Sequence, residues 1–250
     1  MYSLKNQVAI VTGVSTGIGR SVAQLFAENG ARLVLAGRDR EKSEALQEEI
    51  TGNGGDAIFI PTDVSRHEDC RNLVEKTLEH YGKLDIACNN AGIGNEPSPV
   101  AEHDIELWQR IINTNLSGVF YCMRYQIPAM LQQGSGSIIN IASVVSQVAL
   151  PGISAYVSSK HGLLGLTRTA ALEYSAQGIR INAVGPAYIA TPMLANIYTQ
   201  EVEDKVPETH PIGRIGRPEE VAELVLWLAS SRASFVTGAY YPIDGGYLAR

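Results

Sequence analysis

The chain has 250 residues, of which 45% are hydrophobic and 18% are charged, with a formal net charge of −6. This is the composition of an ordinary globular protein with a full hydrophobic core. The Lys and Arg residues form no cluster or stripe, which argues against nucleic acid as a partner, and no apolar run is long enough to span a bilayer. The three cysteines are too few and too scattered for a disulfide framework or a zinc site. The N-terminal segment shows no apolar signal region, so we expect a cytoplasmic protein. The sequence shows no Ser/Pro run or charge block that would mark a linker, so we expect one domain over residues 1–250.

Short apolar runs alternate with longer helical patterns along the chain. Runs of this length, rich in Val and Ile, are typical of strands buried on both faces. The expected strands are Val8 to Val11, Arg32 to Ala36, Ala57 to Ile60, Leu84 to Cys88, Ser137 to Ile141, Ile179 to Val184 and Tyr240 to Ile243. The expected helices are Ser21 to Asn29, Arg40 to Ile50, Glu68 to Tyr81, Leu116 to Gln132, Ala155 to Ser175 and Pro218 to Ser230. The alternation predicts a doubly wound α/β fold, with a mostly parallel seven-stranded sheet and helices on both faces.

A glycine-rich turn follows the first strand and leads directly into a helix. Gly13 permits a tight turn, Gly17 lets a ligand approach the backbone, and Gly19 lets the helix pack closely on the strand. The unpaired N–H groups of the helix N-terminus would then face a pyrophosphate. The order of strand, turn and helix favours a dinucleotide site, and a glycine-rich turn without a ligand is the alternative. The turn residues Ser15, Thr16 and Ile18 complete this candidate cradle.

The second strand ends in Gly37 and Arg38. An acidic residue at this place would bind the adenosine ribose of NAD, whereas an arginine accepts the 2′-phosphate of NADP. NADP is therefore the preferred cofactor, with NAD possible. Arg38 as a solvated surface residue is the alternative, and Asp39 beside it weakens the positive field.

Polar clusters also follow the third and fourth strands. Asp63 and Val64 come after the third, and Asn89, Asn90 and the pair Ala91-Gly92 come after the fourth. Ligands of a doubly wound sheet lie at the carboxyl ends of its strands, so these clusters border the expected crevice. Taken singly, Asp63 is explained as a cap or turn residue and the asparagines as loop-stabilising residues.

The candidate chemistry lies around the fifth strand. Ser143 follows its end, and Tyr156 and Lys160 stand four residues apart on one face of the next predicted helix. An ammonium near a phenol favours the phenolate, so the tyrosine pKa falls from its ordinary ~10 and the group becomes an acid or base usable near neutrality. A Tyr-x-x-x-Lys pair with no chemical role is the alternative. Ser143 lacks the G-x-S-x-G surroundings and the partner histidine of an acyl-transfer nucleophile, and no His or Cys pair has metal-ligand spacing.

Together these residues resemble the short-chain dehydrogenase/reductase family over essentially the whole chain. The resemblance rests on Thr12-Gly13 to Gly19, Asp63, Asn89 to Gly92, Asn115 in Asn-Leu-x-Gly-Val-Phe, Ser143, Tyr156-x-x-x-Lys160, Asn182 followed by Pro186, and Thr191.

The resemblance implies a role for each position. Tyr156 would be the general acid/base, Lys160 would bind the nicotinamide ribose and lower the tyrosine pKa, Ser143 would hydrogen-bond the substrate oxygen, and Asn115 would hold a relay water. Among the cofactor residues, Asp63 and Val64 would flank the adenine, Asn90 and Gly92 would lie on the adenosine side, and Ile189 and Thr191 would contact the nicotinamide carboxamide. Ala91 and Pro186 are further candidate cofactor residues.

The sequence departs from the family pattern at one point, where Ala187 replaces the glycine that usually follows Pro186. Ala fits only if its φ angle is negative. The segment from Ala187 to Arg214 would be the substrate loop. Its Tyr188, Met193, Leu194, Ile197 and Tyr198 suggest a partly apolar lid, and simple packing of the same residues as a helix is the alternative. The resemblance also implies a homotetramer built on the helices Leu116 to Gln132 and Ala155 to Ser175, with Gly238 to Arg250 at a second interface.

These observations predict an oxidoreductase that moves a hydride between NADP(H) or NAD(H) and a small-molecule alcohol or carbonyl substrate. A dinucleotide sensor without catalytic activity is the rival, although binding alone has no need of Tyr156. A pure interaction protein would leave the glycine-rich cradle unexplained.

Overall fold

The computed structural model describes residues 3–195 and 206–249. Its strands form one fully parallel seven-stranded sheet in the order β3-β2-β1-β4-β5-β6-β7. The strands are β1 Val8–Thr12, β2 Arg32–Gly37, β3 Asp56–Pro61, β4 Ile86–Asn89, β5 Gly136–Ile141, β6 Ile179–Pro186 and β7 Tyr240–Ile243. The helices are α1 Gly17–Glu28, α2 Arg40–Gly52, α3 His67–Tyr81, α4 Ile105–Ile112, α5 Gly118–Leu131, α6 Ser154–Tyr174, α7 Pro192–Ala195 and α8 Pro218–Ala229. The predicted fold class is confirmed.

The strands are apolar throughout because both faces of the sheet are covered. Every residue of β1 is buried, as is every residue of β4. One core lies between the sheet and α1, α2 and α8, with Phe26, Leu46 and Val225 among its members. The other lies between the sheet and α3, α5 and α6, with Leu73 and Leu163 among its members.

The order of the strands reverses between β1 and β4, which lie side by side at the centre of the sheet. Parallel sheets of this kind open a crevice at such a switch point, outside the carboxyl ends of the strands. The loops after β1, β4 and β5 meet at that edge, and they carry the candidate residues.

Two predicted helix starts differ from the structure. The sequence placed a helix start at Leu116, but the chain is already helical from α4 and passes through a π-helical turn, Asn113–Ser117, into α5. The missed signal was Asp104, whose carboxylate accepts a hydrogen bond of 2.6 Å from the backbone N–H of Leu107 and caps α4. The first helix also begins earlier than predicted, at Gly17.

Within the described ranges, no helix is both long and apolar enough to cross a membrane. The same residues contain no group of three or more His, Cys, Asp or Glu side chains placed to hold a metal ion. All three cysteines are buried as thiols, and the sulfurs of Cys70 and Cys122 are 3.7 Å apart.

Candidate active site

The turn between β1 and α1 takes its close-packed path only because its glycines lack side chains. Gly13 and Gly17 have φ angles of 72° and 58°, in the left-handed region that favours glycine. A Cβ on Gly19 would lie 2.3 Å from the carbonyl oxygen of Gly13 and 2.4 Å from Nδ2 of Asn90. Thr16 precedes the helix in extended conformation, and its side chain caps no backbone N–H group. The first N–H groups of α1 therefore face the turn, where they suit an anionic group.

A cavity that we call the dinucleotide cavity extends from this turn across the ends of β2, β3 and β4. Its wall contains most of the predicted cofactor residues: Gly13, Ser15, Thr16, Gly17, Ile18, Arg38, Asp63, Val64, Asn90, Ala91, Gly92 and Thr191. Gly19 is not part of the wall and instead packs beneath it against Gly13. The cradle and the elongated cavity fit a dinucleotide.

Arg38 lies at the β2 end of this cavity with an exposed side chain. Asp39 is engaged elsewhere: it caps α2 by accepting a 3.1 Å hydrogen bond from the N–H of Lys42, and it pairs with the ammonium of Lys42 at 3.0 Å. The backbone hydrogen bond from Lys42 is the main cause that lowers the pKa of Asp39. The Asp39 charge is therefore partly compensated by Lys42 rather than by Arg38.

Two candidate residues in the wall also stabilise their own loops. The carboxylate of Asp63 accepts hydrogen bonds from the N–H and the hydroxyl of Ser65, at 3.0 and 2.7 Å. The amide of Asn90 donates to the carbonyl oxygens of Thr12 and Gly13, at 2.9 and 3.1 Å. These contacts tie the loops after β3 and β4 to fixed positions beside the cavity.

Asn89 lies away from the dinucleotide cavity, inside the core. Its amide exchanges hydrogen bonds with Gln126 and donates to the side chain of Asn140 at 3.0 Å. Thr12 holds the loop that begins after Asn89: its hydroxyl oxygen accepts hydrogen bonds of 3.0 Å from the N–H groups of both Asn90 and Ala91. It thereby joins the ends of β1 and β4 across the switch point.

A second cavity, which we call the substrate cavity, opens beside the first and shares part of its wall, including Ile18, Asn90 and Thr191. Ser143, Tyr156 and Lys160 all line it. The three predicted catalytic side chains are thus brought together at the junction with the dinucleotide cavity, from the end of β5 and one face of α6.

Lys160 is buried, with 4% of its surface exposed. Its ammonium donates a 2.7 Å hydrogen bond to the carbonyl oxygen of Ile141 and lies 5.6 Å from the centre of the Tyr156 ring. Burial disfavours the charged form and lowers the pKa of Lys160 to about 8. The ammonium is thus held beside the Tyr156 ring, as the spacing of four on one helix face predicts.

Ser143 stands in extended conformation at the end of β5, before a short 3-10 turn, Val144–Ser146. Its hydroxyl donates to the carbonyl oxygen of Pro186 at 3.4 Å and accepts from the N–H of Val145 at 3.3 Å. Both distances are long for hydrogen bonds, so the hydroxyl is weakly committed within the protein and available to a ligand in the cavity.

Asn115 lies in the π-helical turn and is fully buried. Its side-chain amide pairs with the backbone of Ile93, with both hydrogen bonds at 2.8 Å, and its Nδ2 is 3.4 Å from the hydroxyl of Ser159. It does not line the substrate cavity. Its immediate geometric effect is to fix the loop after β4 against α6.

The loop after β6 supplies the opposite wall. Pro186, Ile189 and Thr191, which the resemblance assigns to the cofactor, line the substrate cavity together with the proposed lid residues Tyr188, Met193 and Leu194. Ile197 and Tyr198 lie outside the described residues. Asn6 is the one non-glycine with a positive φ in the described ranges, so Ala187 has the negative φ that alanine requires. Several wall residues were not singled out from the sequence because they belong to no recognisable motif, among them Asn95, Val145, Leu150 and Ile153.

Known proteins resemble the chain over nearly its whole length. The family model described as enoyl-(acyl carrier protein) reductase matches residues 13–248. Cyclohexanol dehydrogenase of Acinetobacter sp. is 44% identical over 98% of this chain and 96% of its own length. The 2,5-dichloro-2,5-cyclohexadiene-1,4-diol dehydrogenase of Sphingobium indicum is 40% identical over the full length of both. A solved structure from Beutenbergia cavernae, described as an NAD(P)-dependent gluconate 5-dehydrogenase with NADP at low occupancy, superposes with a TM-score of 0.94 at 34% identity, covering 99% of each chain.

The fold and the two joined cavities define a nicotinamide-dependent oxidoreductase that acts on alcohol or carbonyl groups. The chain belongs to the short-chain dehydrogenase/reductase family. The resemblance inferred from the sequence is thereby confirmed, and no finding supports the rival interpretation as a sensor.

Proposed function

We propose that this enzyme interconverts a secondary alcohol and its ketone, with Tyr156 as the proton donor and acceptor at the substrate oxygen. The observation that carries the proposal is the convergence of Ser143, Tyr156 and Lys160 on one cavity that continues into the dinucleotide cavity. A bound nicotinamide supplies the hydride in reduction and accepts it in oxidation.

The protein residues divide the remaining work. In oxidation, Tyr156 takes the proton from the alcohol oxygen; in reduction, it returns that proton to the carbonyl oxygen. Lys160, 5.6 Å from the ring centre, stabilises the phenolate that forms when the proton leaves. Ser143 donates a hydrogen bond to the same oxygen, which favours the charge that develops there in the transition state. Asn115 does not contact the substrate in this proposal; it holds a water molecule that takes part in a proton relay to Lys160.

For the substrate we propose a compact, uncharged alcohol on an alicyclic ring. Most of the described cavity wall is apolar, with Val145, Leu150, Ile153 and Leu194 among its members, and Lys160 is the one charged side chain in that part of the wall. An acidic substrate would lack a second cation to pair with, and an anion buried without one is costly. Two relatives named for alcohols on six-membered rings support the same class.

A screen that follows nicotinamide absorbance tests this proposal. The purified enzyme is offered cyclohexanol and cyclohexanone as compact apolar substrates, gluconate as a charged polyol, and an enoyl thioester as the substrate class of the matching family model. We expect kcat/KM to be highest for the cyclohexanol pair by at least tenfold. If only the enoyl thioester is turned over, the proposal is wrong and the enzyme reduces carbon–carbon double bonds. If the enzyme binds the dinucleotide tightly but turns over none of these compounds, the sensor interpretation is favoured.

We further propose that NADP(H) is preferred over NAD(H). Arg38 lies exposed at the end of β2 in the dinucleotide cavity, where it can meet a 2′-phosphate, and Asp39 is already paired with Lys42. Gly37 presents no acidic side chain to repel that phosphate. A single charged hydrogen bond is worth about 1.5–3 kcal/mol, which corresponds to roughly a tenfold to hundredfold preference.

The assembly we propose is a homotetramer of single-domain chains, in which residues 187–214 form the substrate loop. Apolar side chains exposed on α5 and α6 support this assembly, namely Phe120 at 48% and Leu172 at 88% exposure. Large apolar side chains in such positions are typical of subunit contacts. A cytoplasmic location stays a prediction from the sequence.

A further inference from the structure

Tyr240 on β7 reaches the catalytic region without lining either cavity. Its hydroxyl donates a 3.0 Å hydrogen bond to the backbone carbonyl oxygen of Ser143, at the end of β5. Because β6 lies between β5 and β7 in the sheet, this side chain crosses a whole strand to make the contact.

The crossing is possible because β6 has a glycine beneath the tyrosine ring. A Cβ on Gly185 would lie 2.1 Å from the Tyr240 hydroxyl oxygen and 2.3 Å from the ring carbon that carries it. Any side chain at position 185 would therefore displace the phenol from Ser143. The hydrogen bond from Tyr240 to Ser143 therefore depends on glycine at position 185.

The contact fixes the backbone of Ser143, whose hydroxyl is only weakly held by its own hydrogen bonds. The Ser143 hydroxyl makes only long bonds, at 3.3 and 3.4 Å, whereas the Ser143 carbonyl accepts both the Tyr240 hydroxyl at 3.0 Å and the N–H of Ser146 at 2.9 Å. The bond from Ser146 is the first hydrogen bond of the 3-10 turn Val144–Ser146. The position of the serine hydroxyl thus depends on a carbonyl held from two sides.

Tyr240 remains a donor over the working range of pH. Burial, with a smaller contribution from the charge of Asp244, raises the pKa of Tyr240 well above its ordinary value. Tyr240 is only half-buried, but its hydroxyl is directed at a carbonyl oxygen, which accepts and never donates.

We propose that Tyr240 is a positioning residue that acts through Ser143, holding its hydroxyl where it meets the substrate oxygen. The inference rests on the proposed function, in which Ser143 donates to that oxygen. A catalytic donor that shifts by a fraction of an ångström loses transition-state stabilisation, while cofactor binding in the neighbouring cavity is left unchanged.

A double-mutant cycle tests the coupling. Tyr240→Phe removes one oxygen and keeps the ring over Gly185, and Ser143→Ala removes the hydroxyl. We expect Tyr240→Phe to lower kcat about fivefold to tenfold with little change in dinucleotide Kd, a loss equivalent to about one hydrogen bond. In the Ser143→Ala background the same change should lower kcat less than about twofold, because the group it positions is gone.

Tyr241→Phe is the matched control, since Tyr241 is the next residue of β7 and packs its ring edge-on against Trp227 at 5.7 Å. It should leave kcat unchanged in both backgrounds. Equal losses from Tyr240→Phe with and without Ser143, or no loss at all, would overturn the inference. If Ser143→Ala itself leaves kcat unchanged, the proposed role of Ser143 is wrong, and the positioning inference that rests on it is wrong as well. If Ser143→Ala lowers kcat but Tyr240→Phe does not, only the positioning inference is wrong.

Discussion

Lys160 makes the stability of the enzyme depend on pH in a window set by its burial. The pKa of this amine is lowered to about 8 in the folded protein, and its ordinary value applies in the unfolded chain. Between these two values the unfolded state binds more protons, so the contribution of Lys160 to stability rises with pH through that window. Below pH 8 both states carry the proton, and the contribution is constant and unfavourable.

The quantity compared is the free energy of unfolding of the wild type minus that of Lys160→Met, both without cofactor. This difference should increase by about 2 kcal/mol between pH 7 and pH 9.5, in favour of the wild type. Urea unfolding at both pH values measures this difference, and titration of the other groups cancels in it. A difference that does not change with pH would mean that Lys160 titrates as it does in water.

Cofactor choice depends on two residues at the end of β2. Arg38→Ala removes the cation, and Gly37→Asp adds an acid that favours the ribose of NAD. The substitution at Gly37 has room, because a Cβ there would lie 3.4 Å from the nearest atom, the hydroxyl oxygen of Ser43. We expect the wild type to have the higher kcat/KM with NADP(H) and the double variant to reverse the order. A wild type that favours NAD(H) by tenfold would show that Arg38 faces solvent.

The positions of the candidate catalytic residues were predictable because they follow from local rules. Ser143 lies at a strand end, and Tyr156 and Lys160 share a helix face through their spacing of four. Tyr240 and Asn95 were not predictable. Tyr240 reaches Ser143 across β6 over Gly185, which depends on how three strands pair, and Asn95 lies in an irregular loop without a recognisable spacing.

At the scale of elements, the packing of α1 on the end of β1 decides whether the cradle exists. Gly19 is the residue where the two come closest, since a Cβ there would lie 2.3 Å from the Gly13 oxygen. Gly19→Ala should push α1 from the turn and weaken dinucleotide binding by at least about tenfold, because ~1.4 kcal/mol of misfit is already one decade. Fluorescence titration with reduced cofactor measures the Kd.

Gly52→Ala is the control for that change. Gly52 ends α2, and a Cβ at this position would have nothing within 4 Å. It should keep the dinucleotide affinity and stabilise the fold by a few tenths to about 1 kcal/mol through the unfolded state. Equal affinities for the two variants would show that the close approach at Gly19 has no part in binding.

The elements themselves were largely predictable, since all seven strands and most helices follow from apolar periodicity and capping residues. The exceptions were the short helix α7 and, before α5, the helix α4 with the π-helical turn after it. Asp104 gave the capping signal, but the widened turn that places Asn115 beside Ile93 is stabilised by a tertiary contact. Local propensity does not encode such a contact.

At the scale of the whole molecule, the proposed tetramer would cover apolar side chains that the single chain exposes. Phe120 on α5, Leu172 on α6 and Phe235 near the C-terminus expose 48%, 88% and 103% of their surfaces. Light scattering at micromolar concentration should give four times the chain mass of 27.0 kDa. Leu172→Glu should reduce that mass without loss of helix content. A monomeric wild type would contradict the proposed tetramer.

The central claim is that Tyr156 transfers the proton that accompanies hydride transfer. The measurement is the steady-state oxidation of cyclohexanol by wild type and Tyr156→Phe, together with the dinucleotide Kd of each, and Tyr174→Phe at the end of the same helix is the control. The account predicts that Tyr156→Phe lowers kcat by about 10²-fold or more, the usual worth of a general acid/base, with an almost unchanged Kd. A Tyr156→Phe enzyme that keeps most of its kcat would contradict it.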